Sequence, residues 1–308
     1  MVALTSPPVE RLLAAMETTA RFARDSVHRG AAQFGPAWVD GLGELLDRLY
    51  AGEGALADAV QGYGAFAMDA MRRQKRFERE RRYVARSYAE AAAEVYYNDE
   101  HMRRQYLPGL LLSHYLWAHH VHQLQYFEGF YLPWLKQHGV TRFAEVGVGT
   151  GLYSRLLLQH LPDVQGTGLD ISPMSLQFTQ AHVAAYGFAD RYTALQHDIL
   201  QAPLPAPYAH RYPAVVCVEV LEHLEDPTAM LRGLRDLCTA DGRLFVTAAL
   251  NAADADHIHL YRKPEDVVAQ VEAAGLHVEH CFHAHAYAPP APGVPVPSAL
   301  AMVLSPWR

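Results

Sequence analysis

The stretch Arg142-Phe-Ala-Glu-Val-Gly-Val-Gly-Thr-Gly-Leu-Tyr-Ser154 decides the fold. A short apolar run ends in Gly147, Gly149 and Gly151, with Glu145 two residues ahead of the first glycine, and a helical pattern of Leu152, Leu156 and Leu157 opens directly behind. It reads as strand, tight turn, helix. Glycines at such a turn let the backbone approach a ligand where a Cβ would clash, and the new helix points free N–H groups at it. The GxGxG spacing differs from GxGxxG, in which the third glycine packs helix on strand. By itself such a turn also serves as a plain tight connection in α/β proteins.

Downstream, three acidic positions each follow a predicted strand. Asp170, with Ile171 behind it, ends the next strand about twenty residues after the last glycine, where a carboxylate meets ribose hydroxyls. Asp198 beside Ile199 offers a carboxylate to an adenine amino group and an apolar side chain to its face. Glu219, followed by Val220, ends the buried run AVVCVEV.

Glu145 to Gly151, Leu169-Asp170-Ile171-Ser172, His197-Asp198-Ile199 and Val220-Leu221-Glu222-His223 with Asp226-Pro227 together resemble the S-adenosylmethionine-dependent methyltransferases of the Rossmann-like class I. The resemblance runs from about residue 140 to the C-terminus. It implies S-adenosylmethionine as cofactor, with Glu145 and the three glycines flanking its methionine part, Asp170 and Ile171 at the ribose, and Asp198 and Ile199 at the adenine. Glu219 to Leu221 would form the floor between cofactor and acceptor. Members usually bind the cofactor without metal. The proline-rich stretch 201–212 departs from the helix many members carry there.

The chain has 308 residues, half of them hydrophobic, enough for one large domain or two modest ones. The expected division is a helical N-terminal or lid region over 1–138 and a cofactor-binding domain over 139–308. A formal net charge of −7 gives no electrostatic reason to expect a nucleic-acid partner. Cys217, Cys238 and Cys281 lack metal-ligand spacing and read as small core residues in a reducing compartment, so the cytoplasm is the expected location. The N-terminus lacks a basic and then apolar leader, and no stretch reaches the ~18 uninterrupted apolar residues of a membrane span.

Before residue 140 the periodicity is helical: a first pattern over 4–30, a second over 36–50, glycines at 52, 54, 62 and 64 as punctuation, then a long Ala/Arg/Glu-rich helix over 65–97. Within it, Met71 to Arg82 (MRRQKRFERERR) reads as a solvated helix face, since Glu78 and Glu80 interrupt the charge and Tyr83, Val84 and Tyr88 resume an apolar face. The stretch 96–135 is dense in aromatics and histidines. Two helices broken at Pro108-Gly109 would bring Tyr106, Tyr115, Trp117, Tyr126, Phe127 and Phe130 to the seam with the second domain. There they either wall an acceptor pocket and close over a sulfonium or simply form core between two layers. His119, His120 and His122 do not share one helix face, and no metal is assigned to them. An apolar face on the N-terminal helices would support a homodimer.

After residue 140 strands are expected at 142–147, 165–169, 191–196, 214–219, 242–248, 276–283 and 299–304, and helices at 151–160, 173–186, 226–239 and 264–274. This alternation predicts an α/β fold with a seven-stranded, mostly parallel Rossmann-like sheet. Its last two strands, joined by a proline-rich loop alone, pair antiparallel.

Methyl transfer from a sulfonium needs alignment and exclusion of water more than acid or base, which enters only if the acceptor must shed a proton. Candidates lie on two loops at the C-terminal edge of the sheet. His223, with Glu222, follows Glu219; Asn251, Asp254, Asp256, His257 and His259 follow the fifth strand. His257 is the first choice as catalytic residue and His223 the second, with Tyr106, Tyr115, Tyr126 and Asn251 as acceptor or lid contacts. His257, His259 and Asp256 form a conceivable ligand set, but the sequence assigns no metal. The expected function is methyl transfer to a small-molecule acceptor in specialised metabolism. The alternatives are a non-methylating use of the same cofactor, an NAD-dependent oxidoreductase, and a silent cofactor-binding partner.

Overall fold

The computed structural model describes residues 5–83, 87–201, 205–206, 208–209 and 211–307. Val84 and much of the proline-rich stretch 201–212 lie outside these.

The helical region opens with α1 (Pro7–Thr19), whose proline occupies the first turn and whose stripe of Val9, Leu12, Leu13 and Met16 is buried. It continues through α2 (Arg24–Phe34), α3 (Pro36–Leu49) and α4 (Glu53–Glu80). Helix α4 starts well before residue 65 and runs through Gly54, Gly62 and Gly64, so these glycines are not punctuation. Two of them are contact surfaces. A Cβ on Gly62 would sit 2.2 Å from the Arg104 carbonyl oxygen, and one on Gly64 3.2 Å from the Thr19 carbonyl oxygen. Arg81, at φ 53°, ends the helix in a left-handed turn, so the expected 65–97 helix is split. After the break α5 (Tyr88–Glu94) begins in a capping box of Ser87 and Glu90. The basic run on α4 is a solvated face: Arg73 pairs with Asp69 at 2.6 Å and Arg76 with Glu80 at 2.9 Å, while Phe77 turns inward.

Next come α6 (Asp99–His101), a π-helical segment Met102–Tyr106, α7 (Leu107–Leu116), α8 (Ala118–Tyr126), a second π segment Phe127–Tyr131, and α9 (Leu132–Gln137). Pro108 breaks nothing: the helix runs on without interruption from α6 through the π-helical Met102–Tyr106 into α7, with Tyr106 and Leu107 both in the right-handed helical region. Trp117, extended at φ −103° and ψ 118°, makes the break instead.

The sheet comprises β1 (Arg142–Val146), β2 (Gln165–Asp170), β3 (Tyr192–Gln196), β4 (Tyr212–Cys217), β5 (Cys238–Leu250), β6 (Leu276–His285) and β7 (Ser298–Pro306). Its order is β3-β2-β1-β4-β5-β7-β6, with the first five strands parallel and β7 antiparallel to both β5 and β6. The expected seven-stranded sheet with its reversed last strand is the observed one. Alternation along each strand separates two cores. Phe143, Val216 and Phe245 pack with α10 (Leu152–His160) and the N-terminal helices, whereas Ala144, Val215 and Leu244 pack with α12 (Pro227–Leu237) and α13 (Pro264–Ala273). Helix α11 (Pro173–Ala185) lies against β2 and β3. Strand order reverses between β1 and β4, and the crevice at their carboxyl ends is where ligands sit in open α/β sheets.

Candidate active site

Each glycine of the turn has a left-handed backbone, at φ 72°, 48° and 70° for Gly147, Gly149 and Gly151. Their surroundings differ. A Cβ on Gly147 would lie 2.5 Å from Val220 Cγ2 and one on Gly151 2.5 Å from Thr179 Cγ2, whereas on Gly149 the nearest atom is Leu110 Cδ2 at 3.5 Å. The open glycine is the one where a ligand can approach the backbone. Gly151 itself is not on the cavity wall; it caps α10.

Glu145, at the end of β1, turns back to accept hydrogen bonds from the Ser154 N–H at 2.8 Å and from the Ser154 hydroxyl. Burial nevertheless raises its carboxyl to about 8, so it stays protonated at neutral pH. Asp170 ends β2 and accepts from the Ser172 N–H at 2.8 Å and the Gly149 N–H at 3.3 Å, with burial raising it to about 6. The carboxylate is thus fixed beside the open glycine. Asp198 accepts from the Leu200 N–H at 2.9 Å, and Ile199 lies beside it on the same wall. Glu219 takes a left-handed φ of 51°, and the Thr247 hydroxyl holds both its N–H and its carboxyl, at 2.8 and 2.7 Å. Burial, and then the neighbouring Glu222, raise the Glu219 carboxyl well above its usual range.

Glu145, Gly147, Gly149, Asp170, Ile171, Asp198, Ile199, Glu219 and Val220 all line one cavity of about 710 Å³. Its remaining wall is supplied by the helical region and the loop after β5. Tyr106 and Tyr115 line it, as do Tyr63, Phe66, Trp117, His114, His119 and His120. His114 and His120 are buried and His119 half-buried, and desolvation lowers all three, His120 to about 4. They are neutral groups among aromatics.

Two acceptor candidates face elsewhere. Tyr126 stacks on Phe282 of β6 at 5.4 Å and bonds His280 Nδ1 at 3.0 Å, on the outer strands of the sheet. Asn251, at φ 51°, spends its amide on the Arg262 carbonyl at 2.8 Å and holds its loop together. Neither lines the cavity. The aromatic stretch therefore divides: its first half walls the cavity, while Tyr126 and Phe127 pack as core against β6 and Phe245.

The two histidine candidates do meet. The backbone carbonyl of Glu222 accepts from both the Ile258 and the His259 N–H at 2.9 Å, which draws the loop after β5 onto the turn after β4. The rings of His223 and His257 then lie 4.9 Å apart and edge-on. Nδ1 of His223 lies 3.2 Å from Asp256 Oδ2 and 2.9 Å from the Tyr96 hydroxyl, and Tyr96 and Tyr106 donate to that same Asp256 oxygen at 2.7 and 3.0 Å. Burial alone would lower His223, but the Asp256 carboxylate outweighs it and raises the imidazole to about 10. Burial would likewise raise Asp256; the facing His223 holds it below the usual carboxylate range. Asp254 is raised to about 6 by burial and by Asp256. His257 places Nδ1 2.8 Å from the Ala252 carbonyl oxygen. His259 turns away to Gln270 and the Tyr261 ring, so His257, His259 and Asp256 do not form a ligand set. The group that does gather is Glu222, His223 and His257, each offering one donor atom within 4.8 Å of the others. Sequence reading placed Glu222 with His223 on the candidate loop after Glu219 but gave it no role of its own; what brings it to His257 is a long-range backbone contact that no spacing reveals. Cys217 and Cys238 are buried as expected, but Cys281 is exposed.

Residues 144–244 match the family profile described as a methyltransferase domain. Among curated relatives, the ubiquinone biosynthesis O-methyltransferase of Xylella fastidiosa (strain 9a5c) is 29% identical over 157 residues, covering 45% of this chain and 61% of that protein. The protein of the same name from Neisseria meningitidis serogroup C is 28% identical over 120 residues, 39% of this chain and 48% of its own. The chain thus spans under two thirds of the length of these relatives. Two solved structures share the fold through the helical region as well. PigF with SAH aligns over 95% of this chain and 94% of its own, with a TM-score of 0.56 at 13% identity, and the mitomycin 7-O-methyltransferase MmcR over 86% and 74%, with 0.53 at 16%.

Proposed function

We infer, from the match of residues 144–244 to a methyltransferase domain and from the shared fold, that the chain is a class I (Rossmann-like) methyltransferase that transfers the methyl group of S-adenosylmethionine to a small-molecule acceptor. The observation that carries this reading is the shared cavity, which joins Gly149, Asp170, Asp198 and Glu219 to an aromatic compartment of the helical region. A cavity of this size is in the range of small-molecule sites. In the family's manner, Asp170 and Ile171 would hold the ribose, Asp198 and Ile199 the adenine, and the glycine turn the methionine arm, while Glu219 and Val220 separate cofactor from acceptor. The sulfonium supplies an already activated methyl group. In transfer the S–CH₃ bond breaks as the bond to the acceptor atom forms, and an O–H or N–H acceptor must also release its proton. We assign the acceptor's reacting group to His257 and His223. The region 1–138 acts as lid and acceptor wall. The net charge of −7 and the aromatic wall favour a small acceptor over nucleic acid. No helix among the described residues is long and apolar enough to cross a membrane, and three free cysteines suit a cytoplasmic setting. A homodimer through the N-terminal helices is the assembly to check by light scattering.

Calorimetric titration with S-adenosylmethionine and S-adenosylhomocysteine, with NAD as control, tests the cofactor. Micromolar binding of the first two, weakened about 10- to 100-fold in Asp170→Ala through loss of a charged hydrogen-bond acceptor, is expected. Absence of binding would sink the reading. Formation of methylthioadenosine instead of S-adenosylhomocysteine in turnover would point to a non-methylating use.

A further inference from the structure

Glu222 is fully buried, and neither of its carboxylate oxygens has a hydrogen-bond partner among the described residues. Leaving a buried carboxylate bare is costly. Around it stand two imidazoles, each with one nitrogen committed to an oxygen acceptor: His223 Nδ1 to the Asp256 carboxylate, His257 Nδ1 to the Ala252 carbonyl. That commitment leaves Nε2 as the uncommitted nitrogen of both rings; His223 Nε2, 3.8 Å from Glu222 Oε1, faces that carboxylate with its proton, which a bound cation would displace. A ligating histidine whose other ring nitrogen is anchored on a carboxylate or carbonyl is the arrangement by which proteins fix tautomer and ring orientation at metal centres. Two such histidines and a bare carboxylate, with donor atoms within 4.8 Å of one another, supply three ligands on one side of an ion.

We propose that Glu222, His223 and His257 bind a divalent transition-metal cation whose open coordination position takes an oxygen of the acceptor. His223 and His257 line the cavity and Glu222 lies behind them, so the open position faces the acceptor compartment. This deepens the methyltransferase reading and rests on it: the acceptor is a hydroxylated molecule, held through its oxygen at the cation and through its apolar body against the aromatic wall. On binding, the hydroxyl loses its proton to solvent, because the cation lowers its pKa, and the oxygen meets the sulfonium as an anion. Two nitrogen donors favour Zn²⁺ over Mg²⁺ or Mn²⁺.

The test titrates the chelator-treated full chain with Zn²⁺, Mn²⁺ and Mg²⁺, and separately with S-adenosylhomocysteine, in the wild type and in Glu222→Gln, His257→Gln and Asp256→Asn. The expected result is one Zn²⁺ per chain, lost in the first two variants and weakened about 10- to 100-fold in Asp256→Asn, whose effect acts through His223. Retained S-adenosylhomocysteine affinity in each variant shows that the fold and the cofactor half are intact. Wild-type protein that binds S-adenosylhomocysteine but none of the three ions overturns the proposal, as does ion binding unchanged in both ligand variants. Failure to bind S-adenosylhomocysteine would instead overturn the cofactor reading, and ion binding would still decide the metal site.

Discussion

Gly147 and Gly149 share a left-handed backbone but not the reason for it. A methyl group on Gly147 meets Val220, whereas on Gly149 it projects into the cavity, so the two alanine variants should separate. Gly147→Ala is expected to lower the melting temperature, since backbone strain of about 1–2 kcal/mol adds to a clash. Gly149→Ala should carry only the strain, yet lose S-adenosylhomocysteine affinity in calorimetry. Glu145 sets a pH dependence. Its folded value, near 8, lies above its ordinary 4.5, so between these values the unfolded chain is ionised while the native carboxyl holds its proton. Its contribution is complete below about pH 4.5 and is lost as pH rises through 8, on the order of a few kcal/mol. Thermal melts from pH 5 to 8 should show a declining stability that Glu145→Gln flattens. His182 works the other way. Lowered to about 3 by burial, it is held neutral, so stability falls as pH drops below 6.5, and His182→Gln should soften that acid limb. The glycines and acidic stations were legible because their spacing is local. Asn251 was not, because its φ of 51° and its bond to the Arg262 carbonyl belong to a loop closure that no spacing reveals.

Among the elements, α4 shows how glycine misleads in a helical sequence. Glycine costs about 1 kcal/mol against alanine in a helix, and a run of it reads as punctuation. In α4 that loss is offset by close approach, because Gly62 lies against the backbone of the π segment Met102–Tyr106 and a Cβ there would meet a carbonyl oxygen. Gly62→Ala is therefore expected to destabilise by about 1–3 kcal/mol despite its better propensity. Gly54→Ala, with nothing within 4 Å, should stabilise by up to about 1 kcal/mol, and chemical denaturation distinguishes them. The strands after residue 140 were legible to within two residues at each end, since buried Val/Leu runs alternate with amphipathic helices, except that β5 begins four residues earlier than expected, at Cys238. The faces of α7 and α8 were not: Tyr115 and Tyr126 sit in equally aromatic surroundings in sequence, and only the extended Trp117 between the helices sends one to the cavity and the other to β6.

Across the whole molecule, the helical region and the sheet share one hydrophobic core and one cavity. Tyr96 and Tyr106 come from the first and Asp256 from the second, and their hydrogen bonds fix the carboxylate that orients His223. Replacing both tyrosines by phenylalanine should leave S-adenosylhomocysteine affinity within a few-fold of wild type, because the glycine turn and Asp170 are untouched. Turnover should fall about 10- to 100-fold, as expected for the loss of hydrogen bonds to a charged group. This meeting point lay beyond sequence reading because residues 96, 106, 223 and 256 carry no shared motif. Its consequence concerns recombination. The helical region is the natural part to exchange between relatives in search of new acceptors, and the short linker between Gln137 and Arg142 is the natural seam. A graft made there brings in foreign residues at positions 96 and 106, so the donor must itself present two hydroxyls to Asp256. Chimeras that ignore this would inherit a new cavity wall above a slack His223.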